Sequence, residues 1–278
     1  MLIAHLTDLH VRPHGTPAYG VVDTNMLLER ALKSVAALDP APDAVVMSGD
    51  LTDCGLEEEY AILDDLLMRH LSMPVFLVPG NHDRREMMKS RLAHLPGITA
   101  APDFVHYVVE EFPLRLIMLD SVAPGYGHGE LCAARLDFLD RALAEQPEKP
   151  AVVVLHHPPF VCGIEHMDKI NLRTADAFGK IIARHPQVER VLCGHHHRPI
   201  TARFAGTMAQ VAPSVAHQVT FDLRPGDPGS FHMEPPAYLL HRWQAGAGLT
   251  THQVYVETYP GPYPFKLDPA YPGALAEH

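Results

Sequence analysis

The chain has 278 residues, 47% of them hydrophobic and 20% charged, a balance that suits one large globular domain or a main domain with a smaller one attached. Its net charge of −11 argues against a general nucleic-acid binder, whose affinity rests on Lys and Arg neutralising phosphates, and no apolar run approaches membrane-spanning length. The four cysteines form no Cys-x-x-Cys pair and the opening residues lack a signal-peptide pattern, so reduced thiols and a cytoplasmic location are expected.

Residues 2–6 read as a buried strand ending in Thr7-Asp8-Leu9-His10. After a loop with Pro13, Pro17 and Gly20, a helix is expected over about 24–37, capped by Asp23 or Thr24. A strand at 44–47 ends in Ser48-Gly49-Asp50 and leads through Cys54-Gly55 into a helix over about 56–71. A third strand at 75–78 ends in Pro79-Gly80-Asn81-His82-Asp83, ahead of a helix near 84–95. This βαβαβ order implies parallel strands with right-handed crossovers.

Two strands at 105–110 and 114–119 follow, then a helix near 133–143. The run Val152-Val153-Val154-Leu155 reads as a strand buried on both faces. It enters His156-His157-Pro158-Pro159, where the prolines cannot continue a ladder. The Pro-rich stretch 158–171 is a candidate wall over a site. A helix near 174–184 and a strand at 188–192 lead to Cys193-Gly194-His195-His196-His197. Short strands at 201–204, 208–211, 217–221, 238–243 and 251–256 then suggest an antiparallel block, and the segment from Pro260 has no regular pattern.

Five apolar strands thus finish in metal-binding side chains, at the strand ends where open α/β sheets bind ligands. Two aspartates, an asparagine oxygen and several imidazoles make a mixed O/N donor set for Zn, Mn, Fe or Co. No cysteine joins it, which argues against a closed structural zinc site, and Cys193 reads as a small hydrophobe ending a strand. Asp8 and His10 are two apart, as are His195 and His197, so in extended backbone each pair points to one side. With Asp50, Asn81 and His156 the donors number seven, too many for one zinc and suited to two metals sharing a carboxylate.

In this order Asp8-x-His10, Gly49-Asp50, Gly80-Asn81-His82-Asp83, His156 and Gly194-His195-x-His197 resemble the calcineurin-like metallophosphoesterase superfamily, over residues 1–199. Tyr19-Gly20, Cys54-Gly55, His156-His157-Pro158-Pro159, Cys193-Gly194-His195 and His217-Gln218 are similar to bacterial binuclear-metal glycerophosphodiesterases, relatives of the class III cyclic-nucleotide phosphodiesterases. The resemblance implies an α/β fold, a four-layer αββα sandwich. Its catalytic domain would span 1–199 with the tail 257–278, and 200–256 would supply second-sheet strands and a small antiparallel β cap for dimerisation.

The resemblance also implies one divalent or trivalent ion (Fe, Mn, Zn or Co) on Asp8, His10, Asp50 and His197. A second would sit on Asp50, Asn81, His156 and His195, with Asp50 bridging, His196 pointing away and His157 behind the ligands. The implied reaction is hydrolysis of a small phosphodiester by hydroxide held on the metals. His82 would face the phosphate and stabilise the transition state or protonate the leaving alkoxide, Asp83 would orient its ring, and Tyr19 and His217 would line the substrate pocket with His82. A homodimer or higher homo-oligomer is expected, because the relatives pair subunits through the cap. Glycerophosphodiesters are the first expectation for substrate, with 3′,5′-cyclic nucleotides or organophosphate diesters as alternatives. A partner-binding scaffold of the same fold would show gaps in the ligand set, and here there are none.

Overall fold

The apolar runs pair into two sheets whose inner faces share one core. In the computed structural model, which describes residues 1–263, β1 (Leu2–Leu6), β2 (Ala44–Met47) and β3 (Val75–Leu77) are parallel neighbours. Their crossovers carry α1 (Thr24–Ala36) and α2 (Glu57–His70), and α3 (Arg85–Arg91) follows β3. In the other sheet β4 (Tyr107–Val109) is antiparallel to β5 (Arg115–Met118), which continues in parallel through β6 (Ala151–Val154) and β7 (Val188–Cys193). Between these strands run α4 (Ala133–Glu145), the short α5 (Glu165–Asp168) and α6 (Ala175–Ile182).

The chain beyond β7 is shared out between both sheets. β8 (Ile200–Phe204) and β9 (Thr207–Val211) form a hairpin on the edge of β7, whereas β12 (Ala237–Gln244) and β13 (Gly248–Tyr255) return to the first sheet beside β1. Among the described residues only β10 (Gln218–Val219) and β11 (Phe231–His232) stand apart, as a two-stranded ribbon. The sheet orders are β13-β12-β1-β2-β3 and β4-β5-β6-β7-β9-β8. Several details depart from the sequence reading: α5 and β11 are not among the expected elements, and β12 and β13, expected within the second-sheet and cap block, join the first sheet. β9 runs parallel to β7, because the hairpin with β8 occupies its other edge. The helix after β3 stops at Arg91, with Leu92 as its C-cap, rather than near Leu95. The expected tail 257–278 lies outside the described residues from position 264 onward.

β6 shows the layering one residue at a time. Val152 and Val154 pack between the sheets with Leu116, Met118 and Leu192. Val153 and Leu155 pack instead with Leu139, Leu143 and Ile181 of α4 and α6. Both faces are out of water, which is why the strand reads as one continuous apolar run. Each buried valine contributes roughly 1.5–3 kcal/mol. On the first sheet, α1 buries Leu28, Ala31, Leu32 and Val35 at helical spacing, and its first turn is closed by the Met26 amide donating to Asp23 at 3.0 Å. The strands are in step at their C-terminal ends, Leu6 beside Met47 beside Leu77 and Met118 beside Val154 beside Leu192. The motifs therefore emerge together at one rim of the sandwich. No helix of the described residues is long and apolar enough to cross a membrane.

Candidate metal centre

Beyond the strand ends the backbone leaves the pleat. Asp8 (φ 54°), His10 (φ 48°), Tyr19 (φ 51°), Asp50 (φ 49°), His195 (φ 72°) and His197 (φ 50°) are left-handed, six of the seven such non-glycine residues among those described. Each costs roughly 1–2 kcal/mol, so their concentration on the predicted donors marks strain imposed by the surrounding structure. It is held by backbone bonds in which the Asp8 amide donates to Gly49 O at 3.0 Å, and the Leu9 and His10 amides to Asp50 O at 2.8 and 3.0 Å. The two-residue pairs therefore converge by tight turns and not by strand alternation, which corrects the expectation drawn from their spacing.

Two glycines permit the close approach this needs. A Cβ at Gly80 would land on the Asp50 carboxylate, and one at Gly194 would land on Thr7 Oγ1 and 3.0 Å from Asp8 Oδ2. The His195 amide donates to both Asp8 oxygens, at 3.1 and 3.0 Å, so the two sheets are joined at the rim.

Hydrogen bonding decides which imidazole nitrogens carry lone pairs. His10 Nδ1 donates to Asp53 Oδ1 at 3.0 Å, His156 Nδ1 to the Ser48 carbonyl at 2.8 Å, and His197 Nδ1 to the His217 carbonyl at 2.9 Å. In the neutral form of each ring, the form that binds a metal, the Nε2 atom is then a bare acceptor. His10 Nε2 and His197 Nε2 face one another at 3.2 Å, with Asp8 Oδ1 3.2 Å from His197 Nε2 and Asp50 Oδ2 3.8 Å from His10 Nε2. Donor atoms of these four residues all lie within 4.8 Å of one another. Asp50 Oδ2 also lies 3.3 Å from His156 Nε2, which lies 3.2 Å from His195 Nδ1. One carboxylate thus faces two clusters of acceptors.

Buried imidazole lone pairs and carboxylates that converge repel unless a proton or a metal cation stands between them. Asn81 Oδ1 is also buried without a partner, and with His195 Nδ1 donating to His156 Nε2, the buried and unpartnered His195 Nε2 is the lone pair of that ring. The donor set therefore fits borderline divalent metals, and each anchored Nδ1–H is the outer contact that metal-bound histidines characteristically make. The charges respond to the same crowding. Burial opposes both carboxylate anions, yet His197 holds Asp8 down at about 2, and His156 and His82 hold Asp50 well below the usual range. Burial disfavours the His156 cation, but Asp50 overrides it and raises that ring to about 9.

His196 points away from the donors, with Nε2 2.6 Å from Asn171 Oδ1. His157 lies closer than a residue behind the ligands need be. Its Nδ1 meets Ser121 Oγ at 2.8 Å, its Nε2 has no partner, and it clusters with His156 and His195.

His82 Nδ1 donates to the Asp53 carbonyl at 2.6 Å, which presents Nε2 to the cleft. Burial works against its protonated form, but Asp50 and the Asp53 carbonyl raise its pKa. The expectation that Asp83 orients this ring is corrected by its contacts. The buried Asp83 carboxylate accepts from the Gly80, Leu51 and Thr52 amides at 2.8, 3.1 and 3.2 Å, and from the Thr52 and Tyr60 hydroxyls at 3.0 Å. It clamps the turn after β2 to the turn after β3, and Asp53 holds the ring.

Over the donors lies a cleft of about 570 Å³. Tyr19, His217 and Phe231 form its aromatic wall, with ring centroids 5.1–5.2 Å apart. His217 is kept neutral, its pKa pushed to about 2 by burial and by the neighbouring His197 and His10. The 158–171 segment does supply a wall, through His166, Met167 and Ile170. A larger groove of about 710 Å³ runs past Arg198, Glu234 and Tyr255, but none of the donors lines it.

Residues 1–199 match the family model of the Calcineurin-like phosphoesterases. The chain belongs to that family. Among calcineurin-like phosphoesterase relatives, an Arcobacter nitrofigilis protein named probable glycerophosphodiester phosphodiesterase GpdQ is 36% identical, over 95% of this chain and 97% of its own. A probable cyclic nucleotide phosphodiesterase of Rhodopseudomonas palustris is 37% identical, over 84% of this chain and 85% of its own. The crystal structure of a Danio rerio dimetal phosphatase shares the fold at 16% identity, with a TM-score of 0.63, over 92% of this chain and 99% of that one.

Sequence reasoning about this calcineurin-like phosphoesterase missed Asp53, three residues beyond Gly49-Asp50, although a second acid after that motif was visible. It also missed Phe231, whose two-residue strand carries no periodicity, and Ser48, whose carbonyl is the functional part. The Asp83 clamp is open to test. Asp83→Ala would leave several buried donors without an acceptor and should cost about 3 kcal/mol or more in urea unfolding, whereas His82→Ala, at a half-exposed position, should cost under about 1 kcal/mol. Equal stabilities would refute the clamp.

Proposed function

We propose that this protein is a binuclear metal-dependent phosphodiesterase acting on small diesters, with glycerophosphodiesters as its main substrates. The observation that carries the reading is the single Asp50 carboxylate facing two groups of imidazole lone pairs. In this reading Asp8, His10, Asp50 and His197 hold one cation, and Asp50, Asn81, His156 and His195 hold the other, with Fe, Mn, Zn or Co as the ions. When bound, two such cations hold phosphoryl oxygens, lower the pKa of a water and neutralise charge on the attacking and departing oxygens.

The chain's own groups do the rest. His82 keeps Nδ1–H on the Asp53 carbonyl, so a second proton at Nε2 points into the cleft and can pass to the leaving alkoxide. Tyr19, His217 and Phe231 enclose one arm of the diester and limit its size. The names of the relatives support a diester substrate, and the aromatic wall, on which a base can stack, favours a cyclic nucleotide as the second reading. Kinetics on glycerophosphoethanolamine, cyclic AMP and an aryl diester, with Mn, Co or Zn added, test this directly. The highest kcat/KM should fall on glycerophosphoethanolamine, and a preference for cyclic AMP would overturn the substrate assignment.

Asn81→Ala removes a neutral, weak donor, so one metal should be lost before the other, with activity partly rescued by excess metal. Unchanged metal content and rates would remove Asn81 from the centre. His82→Ala should lower kcat with metal content unchanged, strongly for alkyl diesters and weakly for aryl diesters whose leaving groups need no proton. Equal losses on both would leave His82 a binding role only.

We place the protein in the cytoplasm, as its four unpaired cysteines suit. We also assign it a homodimer built through the segment around the β10–β11 ribbon. Val161, Phe221, Leu223 and Met233 expose apolar surface there, and the Leu223 side chain lies against the 158–171 wall at Gly163. Light scattering should report a dimer or larger at micromolar concentration, and a monomer would defeat the assignment.

A further inference from the structure

One seam of polar side chains crosses the largely apolar core between the two sheets. His5 on β1, His241 on β12 and Thr251 on β13 come from the first sheet, Arg190 on β7 and Gln210 on β9 from the second. His5 and His241 are fully buried, and Ser48, where the seam ends, is too. Placing two imidazoles, an amide and a guanidinium between sheets is costly unless every one of them is paired, so the pairing is informative.

The donor-only guanidinium at one end sets the direction we assign to the bonds. Arg190 Nη1 only donates, and it meets Gln210 Oε1 at 3.0 Å, while Nη2 donates to the Leu249 carbonyl at 3.0 Å. Arg190 Nη1 also lies 3.4 Å from Thr251 Oγ1, and the threonine donates its single hydrogen to Gln210 Oε1 at 3.2 Å. With that hydrogen on Gln210, the threonine oxygen accepts from His241 Nδ1 at 2.9 Å, which assigns His241 the Nδ1–H tautomer. Its Nε2 is a lone pair and accepts from His5 Nδ1 at 3.3 Å. His5 Nε2 in turn accepts from the Ser48 hydroxyl at 2.8 Å. Burial keeps both rings neutral, His5 pushed down to about 3 and His241 well below the ordinary value, so the chain has one polarity. Ser48 is thereby pinned at its side chain, and its amide donates to Leu6 O at 3.1 Å. Its carbonyl is the acceptor for His156 Nδ1–H, at 2.8 Å.

We infer that His5 is a positioning residue for His156, held by a directed hydrogen-bond chain that begins at Arg190 on the opposite sheet and ends at Ser48. The role rests on the proposed metal centre, whereas the polarity of the chain stands without it. Outer partners of metal-bound histidines are worth about 10–100-fold in metal affinity. The effect is selective: His156 serves one of the two cations, so the seam should govern that cation and leave the other alone. Thr251, which touches none of the proposed ligands, should matter because it sets the tautomer of His241.

Two measurements test this. Nitrogen-15 NMR of histidine-labelled protein should show His5 and His241 both neutral and both Nδ1–H, with His241 losing that single tautomer in Thr251→Val. Either ring charged, or protonated at Nε2 instead, would overturn the chain. Competition with a fluorescent chelator should show one of two zinc ions weakened about tenfold or more in His5→Phe. Thr251→Val should weaken that ion less, and His5→Gln, which can still accept from Ser48 and donate to His241, should restore part of the loss. Leu139→Ala, in the core under α4, serves as a control that lowers Tm without moving either affinity. Both zinc ions weakening together, or neither, would refute positioning, as would the control behaving like His5→Phe. A protein that binds no zinc at all would refute the metal centre instead, and the tautomers would still be readable.

Discussion

Everything at the rim depends on holding groups together that repel. Lone pairs of His10 and His197 face each other at 3.2 Å with two buried carboxylates beside them. Taking a carboxylate out of water costs several kcal/mol even after relaxation, and setting acceptors against acceptors adds to it. A flexible loop would relax away from such an arrangement. The sandwich prevents that, because the strands that end in these residues are buried on both faces and in register with one another. The left-handed backbone at five of the donors records the same compulsion locally. Strain of this kind persists only where the surrounding structure over-determines it.

The anchors of the three Nδ1–H groups come from two parts of the chain. Asp53 lies in the turn after β2, the Ser48 carbonyl ends β2, and the His217 carbonyl belongs to the segment leading into β10. The last of these matters for the relation between cap and centre. His217 holds His197 by its carbonyl and walls the cleft with its ring. A shift of the β10–β11 ribbon would therefore move a proposed ligand as well as the wall. In the proposed reading, size selection and metal geometry are coupled through this one residue.

Much of this was legible in the sequence, for an identifiable reason. Runs such as Val152 to Leu155 have no solvent face, so their ends are sharp, and the polar residues after each end are placed at a common rim. The types of donor named the chemistry. What the sequence concealed were contacts made by backbone or by non-neighbours. Asp83 adjoins His82, yet its carboxylate turns inward to three amides and two hydroxyls, and adjacency along the chain misassigned it. The convergence of Asp8 with His10 was expected for the wrong reason, since spacing of two suggests a pleat and the structure uses a turn. The seam from Arg190 to Ser48 joins residues up to two hundred and more positions apart, and no local pattern reports such pairings.

The division between reaction and specificity falls along the same line. The proposed donors all lie within the family-matched residues 1–199, in turns whose conformation leaves them little freedom. A fold and a metal centre of this kind are compatible with many phosphoesters, so they do not select among diesters. In the proposed reading, selection falls to the residues that close the cleft from other directions, namely Tyr19 in the first loop, His166 in the 158–171 wall, and His217 and Phe231 at the ribbon. Two of these four lie beyond residue 199. They rest on one another through aromatic edges and through His166 against Gly229, where a Cβ would come within 2.8 Å of the imidazole. Packing that tight ties the wall to the ribbon, so a change of substrate size requires both to move. With the centre and the wall separable in this way, relatives of one chain can bear the names of different diesterases.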